Sequence, residues 1–391
     1  MTTTTPSLQE RLEVILPELI ELRRHLHAHP ELSAEEHQTA ALISGELRQY
    51  GWRVREGVGR TGVLAEIGPE IGPKLGLRVD MDALPVEERT GLPYASLRQG
   101  VMHACGHDLH SCIGLGVARL LAQESSLPVG MRLLFQPAEE IAQGARWMRA
   151  DGATTGLSAL FGVHVFPELP VGSIGVRSGS LTAAAGELEI EVIGEGGHGA
   201  RPHQAVDAIW IASRVVTGLQ EAISRRLDAL HPVVVSFGKI EGGKAFNVIA
   251  DRVTLLGTVR CLCADLHERL PAWIEQTVQA ICEGFGAKVR VRYRCIAPSV
   301  RNDPSLTALI ERCAIQQLGA QQVQRLEQPS LGAEDFAELL HDVPGTMFRL
   351  GVAGPEGCAP LHSGFFNPEE RALGVGVQVL TAAMLAWTPT P

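Results

Sequence analysis

The sequence predicts an α/β protein whose mixed, largely parallel sheet is covered by helices and interrupted by an inserted α+β module. Three observations carry this. Apolar runs of strand length alternate with segments of helical period up to residue 182. Chemistry-bearing residues fall directly after those strands, at Asp80 and Asp82, Glu139 and Glu140, and His164, where open α/β sheets place their ligands. Near residue 183 the pattern changes to β-α-β-β-α-β, the order of a ferredoxin-like module. The domains read as 1–182 and 297–391 for the main body, with 183–296 inserted between them.

The first helix is expected over residues 7–29, with Leu12, Ile15, Leu19, Leu22 and Leu26 on one stripe and Pro17 as a kink or early boundary. A second runs from about Ser33 to Tyr50, where Gly51 stops it. Strands follow at 62–67 and 75–79, the latter opening into DMDALP. After MHACGHDLHS at 102–111, Ile113, Val117, Leu120 and Leu121 recur at helical spacing, with Asp108 or Ser111 as the cap. Strands at 131–135, ending in QPAEE, and 159–165 flank a helix through Trp147 and Met148. The inserted module reads as strands at 187–193, 233–240, 253–262 and 288–294, with helices near 205–226 and 266–285. The chain is expected back in the main domain at about 297, with a strand at 346–350.

A net charge of −10 argues against a general nucleic-acid or anionic-membrane surface, but not against a small anionic substrate in a locally basic pocket. Apolar runs are too short for a membrane span. The start, MTTTTPSLQERLEVILPEL, has no basic region followed by an apolar one, so no signal peptide is expected. Eight scattered cysteines lack the density of a disulfide scaffold and suit reduced thiols in the cytoplasm. Cys261 and Cys263 would share one strand face, which is poor disulfide geometry. Order is expected everywhere except the Thr-rich start and the TPTP tail.

In MHACGHD, Cys105 and His107 flank Gly106, a spacing that lets a thiolate and an imidazole meet one ion from a single turn. Taken alone, the group reads equally as a packed thiol beside a structural histidine. Adjacent glutamates such as Glu139 and Glu140 usually begin a solvated helix. At the mouth of an apolar strand, however, one carboxylate can bind metal while its neighbour takes a proton from water. Cys105, His107, Glu139, Glu140, His164 and the late His362 are too many ligands for one tetrahedral structural site. They suit a two-metal site with an open position, loaded with manganese, zinc, cobalt or nickel.

The ordered set MHACGHD, FQPAEE, GVHVFPELPVG, GHGARPH, GAEDF and PLHSGFF resembles the amidohydrolase branch of the M20 metallopeptidases, over nearly the whole chain from RRHLHAHPELSAEE onward. That resemblance implies a zinc-peptidase-like catalytic domain with an inserted lid or dimerisation domain. It implies two divalent metal ions held by Cys105, His107, Glu140, His164 and His362, with Glu139 as general base. Many relatives carry an H-x-D motif where this chain reads Asp80-Met81-Asp82, so a ligand histidine is absent and Cys105 takes its place, bridging the ions. Asp82 then orients a ligand or the base, or is a turn aspartate. The resemblance further implies that His198 holds the oxyanion, from its own chain or a partner copy, and that Asn247 and Arg260 hold a substrate carboxylate. Arg260 reads alternatively as an edge-strand arginine.

Among the other histidines, His25, His27 and His29 are expected to pack or cap at the first helix. His103 and His110 stand behind the ligands or are structural, and His203 starts a helix near the domain hinge. The activity implied is metal-dependent hydrolysis of a small N-acyl-amino acid by a cytoplasmic homodimer or higher homo-oligomer. Alternatives are a dipeptidase or carboxypeptidase of the same family, a cysteine hydrolase using Cys105 and His107, and a non-catalytic metal-binding protein.

Overall fold

Helix α1 (Leu8–Ala28) begins where Ser7 and Glu10 close a capping box, each side chain accepting the other's backbone N–H. It carries Pro17 inside its length without ending there. The computed structural model describes residues 6–389, so the Thr-rich start and the end of the TPTP tail lie outside the described residues. Helix α2 (His37–Gln49) starts later than Ser33 because Ala34 takes a left-handed φ of 66°. The Glu31 carboxylate then caps it from outside, accepting the N–H groups of Gln38 and Thr39 at 3.1 and 2.8 Å.

Strand β1 (Arg53–Val58) is mostly exposed and shows no clean alternation, which is why it carries no sequence signal. Then follow β2 (Gly62–Ile67), β3 (Lys74–Asp80), α3 (His107–Leu121), β4 (Gly130–Gln136) and α4 (Gly144–Ala150). Strand β5 (Leu157–Pro170) is longer than its apolar run, and β6 (Ile174–Val176) and β7 (Gly179–Ser180) are short. The next stretch holds β8 (Ala184–Ile193), β9 (Gly197–His198), α5 (Ala208–Arg226), β10 (Val233–Gly242) and β11 (Val248–Ile249). It continues with β12 (Arg252–Cys261), α6 (Ala264–Glu283) and β13 (Lys288–Ala297). Last come β14 (Arg301–Asn302), α7 (Pro304–Leu318), β15 (Val323–Arg325), α8 (Phe336–Leu339), β16 (Gly345–Ala353) and α9 (Arg371–Ala386).

These elements form two compact units, one holding residues up to 181, 301–328 and from 335 on, the other 182–300 and 329–334. The return to the first unit thus falls at 301 rather than 297, because the Val300 N–H still donates to Thr182 Oγ1 within the second. Residues 329–334 also belong to the second, where the Ala183 N–H donates to the Ser330 carbonyl at 3.0 Å.

In the first unit an eight-stranded sheet runs β1-β2-β4-β3-β5-β16-β6-β15. Its centre, β4-β3-β5-β16, is parallel, so the chain leaves β3 and β4 at one common edge. Helix α3 is buried almost all round because it packs among α1, α9 and β3, its polar first turns included. Neither Asp108 nor Ser111 caps it. The residue before the helix is Gly106 at φ 80°, and Asp108 is claimed instead by Arg23 and His27.

The second unit is a four-stranded antiparallel sheet in the order β10-β12-β8-β13, with α5 and α6 on one face. In order of chain position its strands run second, third, first, fourth, the ferredoxin-like arrangement. Cys261 ends β12 whereas Cys263 precedes α6, so the two do not share a strand, and all eight cysteines are free. No helix of the described residues is long and apolar enough to cross a membrane.

Candidate metal centre

The centre lies wholly in the first unit, where four chain segments meet at the edge of the parallel strands. The first segment is the turn Cys105-Gly106-His107. A Cβ on Gly106 would stand 2.8 Å from Val165 Cγ2, so only glycine lets the turn lie this close to β5. Cys105 and His107 are both buried. The second segment follows β4: Ala138 at φ 51° turns the chain so that Glu139 and Glu140 face back toward the turn. Glu36, whose carboxylate accepts the Ala138 N–H at 2.8 Å and the Thr61 hydroxyl at 2.5 Å, anchors that bend.

The third segment is β5 itself, which carries His164. Its Nδ1–H donates to the Val165 carbonyl at 2.8 Å, leaving Nε2 directed at Cys105 Sγ, 3.6 Å away. The fourth is the loop holding His362, a residue in left-handed backbone at φ 64° whose N–H donates to the Ala104 carbonyl at 2.9 Å. That bond ties the late loop to the thiol turn, and His362 Nε2 stands 3.4 Å from Glu140 Oε2.

Asp82 is the hub beneath these groups. Its Oδ1 lies 3.1 Å from His107 Nδ1, while its Oδ2 accepts the Ser33 hydroxyl at 2.7 Å and the Glu140 N–H at 3.0 Å. A hydrogen bond to Nδ1 turns His107 Nε2 inward, to 3.8 Å from Glu140 Oε1 and 4.0 Å from Glu139 Oε2. Both His107 Nε2 and Glu140 Oε1 are buried and find no hydrogen-bond partner. Two orphaned polar atoms facing one another are costly unless something between them binds both, and a divalent cation does so.

The donor atoms group into Cys105, His107 and His164 on one side and Cys105, Glu140 and His362 on the other, with Cys105 common to both. A further group joins His107, Glu139 and Glu140. The electrostatics fit a cation. Burial, reinforced by the Glu140 charge, pushes the Cys105 thiol up, and burial pushes the Glu140 carboxyl up to about 7. Burial also drives His164 down, keeping it a neutral donor. For His107 burial pulls the same way, but the charges of Asp80 and Cys105 and the Asp82 hydrogen bond outweigh it and raise the ring.

Three candidates lie in the second unit. His198 pairs with Val248 across β9 and β11, and the Gly199 N–H donates to the Asn247 carbonyl at 2.9 Å, so His198 and Asn247 are brought together. The Ala200 N–H donates to His198 Nδ1 at 3.1 Å, which places the ring proton on the outward Nε2. Arg260 is not with them. It lies near the other end of β12 and donates to Thr258 Oγ1 and, at 3.0 Å, to the Val259 carbonyl.

Several supporting residues were not identified from sequence. Arg78 is fully buried on β3 and donates to Gln136 Oε1, Asp80 Oδ2 and Asp335 Oδ1 at 2.8, 2.8 and 3.1 Å. This binds the GAEDF motif to the strand edge. Arg23 and His27 both hold Asp108 Oδ2 at 2.8 Å, beneath the thiol turn. His27 is therefore part of a buried charge cluster, while His25 and His29 stack at the surface with centroids 4.4 Å apart. His203 lies in a 3-10 turn, Pro202–Gln204.

Residues 76–386 match the family model described as peptidase family M20/M25/M40. The chain belongs to this family. It is a metal-dependent hydrolase of amide bonds, and the M20 architecture is that of its solved neighbours. It is 52% identical to a probable hydrolase of Synechocystis sp., over 97% of this chain and 98% of that one. It is 39% identical to an N-acetyl-L-cysteine deacetylase of Bacillus subtilis, over 93% of this chain and 86% of that one. Among solved structures, it resembles a Bacillus subtilis dinuclear metal-binding peptidase of the M20 family. The TM-score is 0.84 and the identity 36%, covering 95% of this chain and 98% of the other.

Proposed function

We propose that this M20 hydrolase cleaves the amide bond of N-acyl-amino acids, releasing a carboxylic acid and a free amino acid, at a centre where Cys105, His107, Glu140, His164 and His362 would hold two divalent cations. The observation that carries this reading is the inward pair of unpartnered atoms, His107 Nε2 and Glu140 Oε1, with Cys105, His164 and His362 at ligand distance. Bound divalent ions supply Lewis acidity, polarising the amide carbonyl and making water acidic near neutral pH.

The chain's own residues do the rest. Glu139 accepts the proton of the attacking water and delivers it to the leaving amine nitrogen. His198 offers its Nε2–H to the oxyanion, and the amino acid's carboxylate is held by Arg260 of one copy together with Asn247 of the other, which stays beside its own His198. Arg260 pairs with Ala185 near the start of β8, whereas His198 lies in the separate β9-β11 ribbon beyond Ile193 at the other end of that strand, which is roughly 26 Å away at the usual rise per strand residue. That span exceeds a small substrate and supports a homodimer in which one copy's His198 serves the other's cations.

A thiol nucleophile is disfavoured, because Cys105 is buried and its thiol is pushed up rather than down. The test is a panel of N-acetyl-, N-benzoyl- and longer N-acyl-amino acids after chelation, with manganese, zinc, cobalt or nickel added back. Activity is expected to vanish with the metal and return with at least one ion. Full activity in metal-stripped protein sinks the proposal.

A further inference from the structure

We infer that His110 is a positioning residue for the Cys105, His107 and His164 cation pocket, with Asp80 setting its tautomer. This rests on reading the site as a divalent-metal centre. His110 is grouped with Asp80 and His107 as a set able to hold a cation of its own. Its hydrogen bonds assign it differently. The Val165 N–H donates to His110 Nε2 at 2.9 Å, and an amide nitrogen can only donate, so Nε2 is bare. The ring proton then sits on Nδ1, directed at Asp80 Oδ1 across 2.5 Å. Both ring nitrogens are committed, and no lone pair is left for an ion.

The place of that ring explains its use. It lies on α3 one turn beyond His107, with the two rings stacked at 5.5 Å, and it meets the edge of His164 at 4.9 Å. Val165 follows His164 directly, so holding its N–H fixes the peptide from which His164 aims Nε2 at Cys105. Asp80 is held in turn by Arg78 Nη1 at 2.8 Å, and its backbone carbonyl accepts the Ser111 hydroxyl at 3.0 Å. Arg78, Asp80, His110 and Val165 thus form one buried rod linking β3, α3 and β5, and that rod sets the spacing of two ligand rings. The rod's ring contacts and its bond to Val165 fall on the Cys105, His107 and His164 side of the centre. Asp80 Oδ1 also lies 3.8 Å from His107 Nε2, so any drift of Asp80 is felt at that donor.

The experiment titrates metal-free full-length protein with Co²⁺ against a chromophoric chelator, recording visible and near-ultraviolet absorption. The native protein is expected to take two Co²⁺ with a thiolate charge-transfer band. His110→Phe keeps the ring volume but loses both bonds. It should bind one Co²⁺ as before and the other about 10- to 100-fold more weakly, the usual cost of losing a ligand's hydrogen-bonding support. His110→Asn, whose amide both donates and accepts, should recover part of that loss. Should His110→Phe fail to fold, Asp80→Asn reads the same side of the centre, with a smaller loss at one ion. Two native-like ions in His110→Phe or, in that fallback, in Asp80→Asn overturn the inference and leave the metal centre standing. Equal weakening of both ions without rescue by Asn also overturns it. A native protein that takes no Co²⁺ overturns the metal-centre reading and this inference together.

Discussion

His107 Nδ1 and Asp82 Oδ1 stand 3.1 Å apart, both fully buried, and this contact decides which nitrogen of His107 faces the other ligands. Asp82→Asn keeps the shape but removes the charge that favours an Nδ1–H. Metal affinity should fall about 10- to 100-fold, with kcat following metal occupancy. Chelator competition measures the first, and saturating metal should restore most of the second.

Glu139→Gln separates catalysis from binding. Glu139 Oε2 is 4.0 Å from His107 Nε2, near the ions yet outside the two groups that share Cys105. The variant should keep its metal content, read by mass spectrometry. Its kcat should fall roughly 10²- to 10⁴-fold, the usual weight of a general base. Loss of metal without a separate loss of kcat at saturation would reassign Glu139 as a ligand.

Cys105→Ser exchanges a thiolate for a weakly acidic hydroxyl at the donor common to both groups. Affinity for both ions and activity should drop together, and the cobalt charge-transfer band should disappear. If one ion alone weakens, Cys105 is not shared.

The Arg23, His27 and Asp108 cluster predicts a pH signature in stability. Burial alone lowers the His27 pKa, but its hydrogen bonds to Asp108 and Glu88 outweigh this and raise it above 6.5. Its contribution is therefore full below the unfolded value of about 6.5 and is lost as pH rises through the folded value. Asp108 moves the other way: burial raises it, but Arg23 and His27 pull it far below its ordinary range. Its share is present above its unfolded value of about 3.9 and is lost in stronger acid. Urea midpoints measured against pH on metal-free protein should fall on the alkaline side for the native chain. The His27→Gln variant should lack that alkaline limb.

Mixing inactive variants tests the span between His198 and Arg260. If the second copy supplies His198, equal amounts of His198→Ala and Arg260→Ala recover roughly a quarter of native activity after random pairing. No recovery in mixed dimers places both groups in one chain's site.

The candidate site residues that the structure gathers were legible because they come in short clusters, such as Cys105 with His107 and Glu139 with Glu140, placed after apolar strands. Their supports were not. Glu36, Arg23, His27 and Asp335 each find their partners far along the chain, and a single polar residue in or beside a helix carries no local signal of that, whereas His110 was open between a place behind the ligands and a structural role. The parallel strands were readable from their apolar runs. Strand β1, exposed along most of its length, was not. The cap of α3 was misread because Asp108 is an ordinary capping residue by type, and only the buried Arg23 shows that its carboxylate is engaged elsewhere.

The bond from the His362 N–H to the Ala104 carbonyl has a consequence for biosynthesis. A growing polypeptide exposes Cys105, His107, Glu140 and His164 long before His362 is translated. Until then the thiol turn lacks both its clamp and its last donor, so an unfinished chain offers metal an incomplete grip. On the ligand set proposed above, full loading is thereby coupled to completion of translation, and a stop before His362 is expected to leave the chain deficient in metal as well as shorter.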